Sequence, residues 1–168
     1  MIKPIPTSQQ RILRESDFIV SKTDRSGKII YGNKIFISIS GYDESELLGA
    51  PHSILRHPDM PKIIFKYLWT RIQEKKEIFA YVKNLCKDGS YYWVLANVTA
   101  TLDQRHSIRD FHSVRRKASD KAMQIIPPLY KQLLDAERIG GTEASETLLT
   151  KILNEKGVSY DEFVLTLC

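Results

Sequence analysis

Apolar and polar positions alternate with a period of two in five stretches of this chain, as they do in β-strands that bury one face. This pattern predicts strands over residues 17–23, 28–31, 78–86, 91–102 and 108–115. The first two strands are joined by the turn sequence DRSG and the next two by KDGS, and both turns are typical of antiparallel hairpins. Because helical patterns lie between the two hairpins, the order of elements predicts an α+β domain with a helix-flanked antiparallel sheet.

Helical periodicity and capping residues predict the intervening helices. Asn33 is a suitable N-cap for a helix that ends at Gly41, and residues 43–49 form a further short helical turn. Pro61 opens a longer helix that carries an apolar stripe, made of Ile64, Phe65, Leu68, Trp69 and Ile72. A short helix is also expected near residues 9–15.

The composition changes after Lys117 and becomes predominantly helical. Ser119 caps a helix over residues 122–138 that is bent at Pro127-Pro128, and Gly140-Gly141 interrupts it. A last amphipathic helix is predicted over residues 142–156, with a final helical turn within 158–168. The predicted division is an N-terminal cap segment (1–16), a central domain (17–118) and a C-terminal helical extension (119–168).

Composition and charge exclude several classes of protein. The 168 residues include no apolar run near the ~18 residues that a membrane span needs, and residues 1–10 lack the apolar core of a signal peptide. A cytoplasmic location is therefore expected. The net charge of +5 is too mild to demand a nucleic acid, and the basic run Arg115-Arg116-Lys117 is interpreted as a solvated strand end. The two cysteines are far apart and indicate neither a disulfide framework nor a metal site.

The irregular stretch 41–61, GYDESELLGAPHSILRHPDMP, is the strongest candidate for part of a binding site. It is neither a helix nor a strand, yet it places Arg56, His57 and Asp59 within four residues. Pro58 and Pro61 stiffen that turn because each fixes its own φ. Rigidly placed polar groups on an irregular segment between two hydrophobic blocks usually form one wall of a pocket.

Several motifs at matching spacing now point to one family: YGN, SGY, ESELLG, RHPDMP, VKN, CKDGSYYWV and ANV. Together they resemble a PAS domain of the bacterial aerotaxis-receptor type over residues 17–117, and more weakly in IIPPLYKQL. The resemblance implies a PAS fold, that is, a five-stranded antiparallel sheet flanked by short helices, with the C-terminal helices appended. It also implies non-covalent FAD, held by residues that correspond by position: Asn33, Arg56, His57, Asp59, Trp69 and Asn84. The family often has tryptophan and glycine where this chain has Ile78 and Ala80.

The residues themselves are compatible with a flavin. Phe65 and Trp69, four positions apart on a helix, can form an aromatic wall for the ring. Asn84 and Asn97 carry amides that both donate and accept hydrogen bonds along its polar edge. Arg56 suits a pyrophosphate because its guanidinium binds oxyanions through two parallel bonds.

Each of these residues also has a structural interpretation. Trp69 and Trp93 can be ordinary core residues, Asn33 can be a helix cap alone, and Asp59 can pair with Arg56 to hold the loop. These alternatives stay open at the level of the sequence.

Two other chemistries are disfavoured. His57 lies before the helix in which haem-binding PAS domains generally place their ligand. Cys86 lacks the GxNCRF motif that surrounds the photoreactive cysteine of light-sensing flavin domains. No metal site and no photochemistry are therefore predicted.

The function that follows is an FAD-binding PAS sensor of redox or energy state. The sequence contains no GxGxxG motif, no paired catalytic carboxylates and no nucleophile–base pair, so an enzyme is not expected. Because the chain ends at Cys168 without a membrane span, we expect it to signal in trans to a transmembrane chemotaxis transducer with a cytoplasmic signalling domain. It would be recruited to the inner face of the membrane through that partner, and homodimerisation is left open. The alternatives are a cofactor-free PAS interaction adaptor and, third, a flavoenzyme.

Overall fold

The computed structural model describes residues 2–168 and contains one five-stranded sheet. The strands are β1 (Phe18–Thr23), β2 (Ile29–Gly32), β3 (Ile78–Leu85), β4 (Tyr91–Leu102) and β5 (Ile108–Lys117). The helices are α1 (Lys34–Ser40), α2 (Glu44–Leu47), α3 (Lys62–Gln73), α4 (Asp120–Lys156) and α5 (Tyr160–Thr166), with a 3-10 turn over His52–Leu55.

The sheet has the strand order β2-β1-β5-β4-β3, and every neighbouring pair is antiparallel. The two predicted hairpins pair as expected, and β5 lies between them at the centre of the sheet. The predicted fold class, α+β with a five-stranded antiparallel sheet and appended helices, is confirmed.

The inner face of the sheet packs against the helices between β2 and β3. In the register of β3 with β4, Ile78 lies opposite Val98 and Asn84 lies opposite Tyr92, so residues at even positions of both strands share this face. Most of them are deeply buried, which makes the inner face the floor of the core.

The outer face of β3 and β4 is covered by the C-terminal helices. The Tyr130 hydroxyl donates a 2.6 Å hydrogen bond to the Tyr81 carbonyl, and the Tyr81 hydroxyl donates to the Val164 carbonyl at 3.3 Å. Burial raises the pKa of Tyr130, because the charged phenolate would lose its hydration. The buried tyrosines therefore act here as neutral hydrogen-bond donors.

Helix α4 changes direction at Gly141, whose φ of 73° and ψ of −168° are not helical. Only glycine adopts this conformation at low cost, and the predicted interruption at Gly140-Gly141 is thus a sharp kink within one long element. Pro127 and Pro128 lie inside its first half, and Ser119 caps it by accepting from the Ala122 amide. Within residues 2–168, no helix has the length and apolarity needed to cross a membrane.

The helix expected near residues 9–15 is wrong. This segment runs extended beside the start of β4, where the Arg11 amide donates to the Tyr91 carbonyl at 2.7 Å and the Tyr91 amide donates to the Gln9 carbonyl at 3.0 Å. The side chain of Arg11 also binds Ser90 and Asp88. Pairing with a strand end satisfies the backbone groups that a short isolated helix would have left open.

Candidate functional site

A cavity of about 320 Å³ lies between the inner face of the sheet, helix α3 and the 3-10 turn. This volume is at the lower end of the range for small-molecule sites, roughly 300–1,000 Å³. Its walls are mostly apolar, with polar groups converging from the sheet and the turn. The lining residues used below are Ser21, Gly27, His52, Arg56, Phe65, Trp69, Val82, Asn84, Val98, Phe111 and Arg115.

Arg115 is the most unusual residue of the cavity. Its side chain is buried, with 2% of the residue exposed, and it donates to the Ser21 hydroxyl. Its Nε has no partner, and no aspartate or glutamate is among the lining residues in the described part of the chain. Burial lowers the pKa of this guanidinium to about 10, so it stays charged at neutral pH. A buried cation without a counter-ion is costly and indicates a site for an anionic or strongly polar ligand.

The interpretation of the Arg115-Arg116-Lys117 run as a solvated strand end is therefore wrong for its first member. Successive side chains of a strand point to opposite faces, so Arg115 turns into the core while Arg116 is exposed. In a run of like charges every position is polar, so the sequence does not show which side chains point to the core face of the strand.

His52 supports the Arg115 side chain from the 3-10 turn. Its Nε2 lies 3.4 Å from Arg115 Nη1 and 3.2 Å from the Ser21 hydroxyl. Burial and the neighbouring Arg115 charge lower the pKa of this histidine to about 3, so the ring is neutral. Because arginine can only donate, Nε2 is the acceptor, and the ring proton is on Nδ1.

Arg56 brings a second cation to the cavity. Its guanidinium carbon lies 3.9 Å from the centre of the Phe65 ring, a cation–π contact, and its Nε has no partner among the described residues. Burial lowers its pKa. The backbone of Arg56 pairs with that of Asn84 in an isolated antiparallel bridge, which fixes the loop to the edge strand β3.

Asn84 presents an unpaired amide to the cavity. The residue is 4% exposed, and its Nδ2 has no hydrogen-bond partner among residues 2–168. The Tyr92 hydroxyl, opposite Asn84 in the register, is the neighbouring protein group, and it also lacks a well-formed hydrogen bond. Buried polar groups without a well-formed bond are uncommon in folded proteins, and a ligand in the cavity could supply one.

Aromatic residues form the outer edge of the cavity. Trp69, 37% exposed, meets Phe111 edge to face at a ring-centre distance of 5.6 Å. The indole also lies over Gly27, where an added Cβ would be 3.5 Å from it, and Gly27 has a φ of +88°. The positive φ favours glycine at this turn, whereas an added Cβ would make only an ordinary van der Waals contact with the indole.

Four of the eight predicted site residues line the cavity: Arg56, Phe65, Trp69 and Asn84. Asn33 does not, because it caps α1 by accepting from the Phe36 amide at 3.0 Å and donating to the Phe18 carbonyl at 2.8 Å.

Asn97 lies on the outer face of β4, opposite Phe79 in the register, and donates to Glu77 at 3.1 Å. The alternation of the strand turns it away from the cavity.

His57 and Asp59 hold the shape of the loop behind Arg56. His57 is buried, and its Nδ1 accepts from the Asp59 amide at 3.0 Å. The Asp59 carboxylate binds Lys83 at 2.8 Å rather than Arg56. Burial and Lys83 lower the pKa of His57 to about 4. Neither residue is among those lining the cavity.

The two positions at which this chain departs from the family pattern are buried without lining the cavity. Ile78 is 1% exposed and Ala80 is 0% exposed, both on the inner face of β3. Cys86 is also buried, and its thiol donates a hydrogen bond to the Ile39 carbonyl at 3.2 Å. None of the lining residues in the described chain is a cysteine, and no cluster of side chains there could hold a metal.

Most of the other lining residues were not predicted from the sequence, and those with the clearest roles in the cavity are Ser21, His52, Phe111 and Arg115. The signal for Arg115 was the strand period itself, since position 115 shares its face with Phe111. Nothing local marks His52, whose partners lie on distant strands.

Residues 29–115 match the sequence profile described as the PAS fold, which is about half of the chain. The chain therefore belongs to the PAS-fold family, and the predicted family is confirmed. It is 36% identical over 130 residues to the aerotaxis receptor of Escherichia coli K12; this covers 77% of the chain but only 26% of the receptor.

Two solved structures show the same fold. One, from a study of light-oxygen-voltage domain mechanism with a flavin analogue, has a TM-score of 0.58 at 22% identity, covering 65% of this chain and 82% of its own. The other, the light state of the blue-light photoreceptor Aureochrome1 LOV, has a TM-score of 0.56 at 20% identity, covering 74% and 93%. At this identity the likeness concerns the fold alone.

Proposed function

We propose that this chain is a flavin-binding PAS sensor that holds FAD in the cavity and reports redox or energy state to the chemotaxis machinery. The observation that carries the proposal is Arg115, a buried cation that faces the cavity without a carboxylate partner. The similarity to the aerotaxis receptor is the basis for proposing a role in redox or energy sensing for chemotaxis. Such a chain is a binding module and not an enzyme.

The polar groups of the cavity suit a flavin. The Arg115 guanidinium and the Asn84 amide each have an unpaired nitrogen, and Arg56 has a third. The carbonyl-rich edge of a flavin ring and the pyrophosphate of FAD are acceptors for such donors. When bound, flavin would supply a ring whose electron and proton content follows cellular redox state.

The apolar walls suit the faces of the ring. Phe65 and Trp69 from α3 lie on one side, and Val82 and Val98 from the sheet lie on the other. A ring held between these residues would displace water from the cavity, which would strengthen the bonds made by Arg115.

A dinucleotide is favoured over FMN by the surroundings of the cavity. A second, more open cavity of about 500 Å³ adjoins it at Ser26 and Phe111 and is lined by Arg25 and Lys75. The additional length and charge of FAD would extend into this basic space. FMN remains the alternative that cofactor analysis distinguishes.

Asn84 is the proposed redox reporter. An amide can turn to donate or to accept, so it can follow a ring edge whose protonation changes. A turn of this side chain would shift β3, whose backbone pairs with Arg56 at the edge of the sheet and accepts a hydrogen bond from Tyr130 of α4. The proposed output is a redox-dependent contact with a membrane-bound chemotaxis transducer, made in trans from the cytoplasm.

The spectrum of the purified protein tests the proposal. We expect flavin absorbance, release of FAD rather than FMN on denaturation, and saturable rebinding of FAD by the stripped protein. A protein that stays colourless after incubation with FAD would refute flavin binding and favour the cofactor-free adaptor. Partner capture from membranes, with oxidised and chemically reduced protein in parallel, then tests the redox dependence of the contact.

A further inference from the structure

Helix α3 contacts both the cavity and the C-terminal helices. One side carries Phe65 and Trp69, which line the cavity. Other residues of the helix contact the C-terminal helices, where Lys66 pairs with Glu146 and Arg71 pairs with Asp161 at 2.8 Å. Both ion pairs are substantially exposed, so they locate the interface but contribute little to its strength.

The stronger connection is at the start of α3. Its N-cap position is Pro61, which offers no side-chain acceptor for the free amides of the first turn. Glu137 of α4 supplies both acceptors: one carboxylate oxygen lies 2.9 Å from the Lys62 amide, and the other lies 3.2 Å from the Ile63 amide. A carboxylate at this end of a helix also complements the helix dipole.

Ser145 ties the second half of α4 to the same carboxylate. It is 0% exposed, and its hydroxyl donates to Glu137 Oε2 at 2.7 Å. The two residues face each other because the chain reverses at the Gly141 kink between them. Glu137 thus joins three segments: the start of α3 and the two halves of α4.

We propose that Glu137 is a latch that couples occupancy of the cavity to the packing of residues 142–156. A ligand that fixes α3 from the cavity side also fixes the amides that Glu137 binds, and release of Glu137 loosens the helix that holds the ligand. Such coupling is reciprocal by thermodynamic linkage. The proposal rests on the proposed flavin site for its natural ligand, but α3 connects the two sides in the unliganded protein as well.

Glu137→Gln tests the latch, because glutamine keeps the size but loses the charge and one acceptor oxygen. We expect three- to tenfold weaker FAD binding by the stripped protein. In the unsubstituted protein, FAD should slow amide exchange of residues 142–156, and this protection should disappear in the variant. Glu155→Gln is the matched control, since Glu155 is an exposed residue of α4. Equal FAD affinity in Glu137→Gln and the unsubstituted protein would overturn the proposal.

A second measurement separates failure of the latch from failure of the flavin site. If no variant binds flavin, a double-mutant cycle in the unliganded protein combines Trp69→Ala on the cavity side with Glu137→Gln. Stability changes that depend on one another support coupling through α3, and strictly additive changes refute it. If Glu137→Gln does not fold, Ser145→Ala replaces it, with a smaller effect of the same sign; it removes the hydroxyl that lies within reach of both the Glu137 carboxylate and the Thr142 carbonyl.

Discussion

Replacing Arg115 by methionine separates a ligand-binding role from a structural role. The substitution keeps much of the aliphatic length of the side chain but removes the guanidinium from the cavity wall. If Arg115 serves a ligand, the stripped protein should tolerate the change while flavin binding should not. If Arg115 serves the fold, the opposite should hold.

The structure gives the magnitudes. A guanidinium pKa lowered from 12.5 to about 10 corresponds to a burial penalty of about 3 kcal/mol for the charged form. The bonds to Ser21 and His52 offset this penalty, at roughly 1.5–3 kcal/mol for a hydrogen bond to a charged group. The two terms nearly cancel, so the unfolding free energy of the stripped protein should change by no more than about 1–2 kcal/mol.

In flavin binding, no second term offsets the free energy lost with the bond from Arg115 to the ligand. Loss of one charge-assisted bond to the ligand, again about 1.5–3 kcal/mol, should weaken FAD affinity on the order of 10- to 100-fold. Urea denaturation of the stripped protein gives the first quantity, and fluorescence titration with FAD gives the second. Arg116→Met is the matched control, because Arg116 is the adjacent arginine on the exposed side of the same strand. It should leave both quantities unchanged.

The outcome that would refute this reasoning is specific. If Arg115→Met lowers the stability of the stripped protein by more than about 3 kcal/mol while the folded fraction binds FAD with unchanged affinity, the guanidinium is a structural group. The main evidence that the cavity binds an anionic ligand would then be lost, and the function as a cofactor-free adaptor would gain support.

Three further perturbations follow from the geometry. Arg56→Met should weaken FAD binding, whereas His57→Phe should lower the melting temperature of the stripped protein, and both quantities are measurable on each variant. Because burial lowers the pKa of His52 to about 3 and of His57 to about 4, mainly the unfolded chain takes up their protons between pH 6.5 and about pH 4. Urea denaturation should thus show stability falling from pH 7 to pH 5 by roughly 1–2 kcal/mol per histidine, and a flat profile would contradict this. Gly89→Ala, with φ at +89° and an added Cβ that would overlap the Ile5 carbonyl oxygen, should cost about 1–3 kcal/mol and expose the N-terminal segment to proteases.

The elements of the sheet could be predicted because their signals are local. Strand alternation and the KDGS and DRSG turns depend on residues a few positions apart, as do the caps at Asn33 and Ser119. The aromatic wall of Phe65 and Trp69 could also be predicted from the sequence, since both residues belong to one apolar stripe of a helix. Arg56 was indicated by the proline-stiffened polar turn and by the resemblance to a family, and Asn84 chiefly by that resemblance.

The face on which a residue lies required information that the sequence does not contain. Asn84 and Asn97 both stand in alternating strands, and the register of β3 with β4 places them on opposite faces of the sheet. A shift of one residue in that register would place both amides on the same face. Arg115 was misjudged for a related reason, because its charged neighbours hide the alternation.

Long-range contacts could not be predicted at all. Glu137 reaches the start of α3 only because the chain passes through β3, β4 and β5 and returns along the outer face of the sheet. Its sequence neighbourhood is that of an ordinary solvated helix. The kink at Gly141 was visible as a break, but its effect, placing Ser145 on the same carboxylate, depends on the folded geometry.

Two routes lead from the cavity to the C-terminal helices, and they can be distinguished. One passes through α3 to Glu137; the other passes through β3, whose Tyr81 carbonyl accepts the Tyr130 hydroxyl. Tyr130→Phe removes only that hydroxyl and should cost about 1 kcal/mol or somewhat more, because the bond is buried. If α3 carries the coupling, FAD should still protect residues 142–156 from amide exchange in Tyr130→Phe, although not in Glu137→Gln. Loss of that protection in Tyr130→Phe alone would assign the coupling to the sheet. The strand would then transmit the change because Asn84 on its inner face and Tyr81 on its outer face belong to one rigid, hydrogen-bonded backbone.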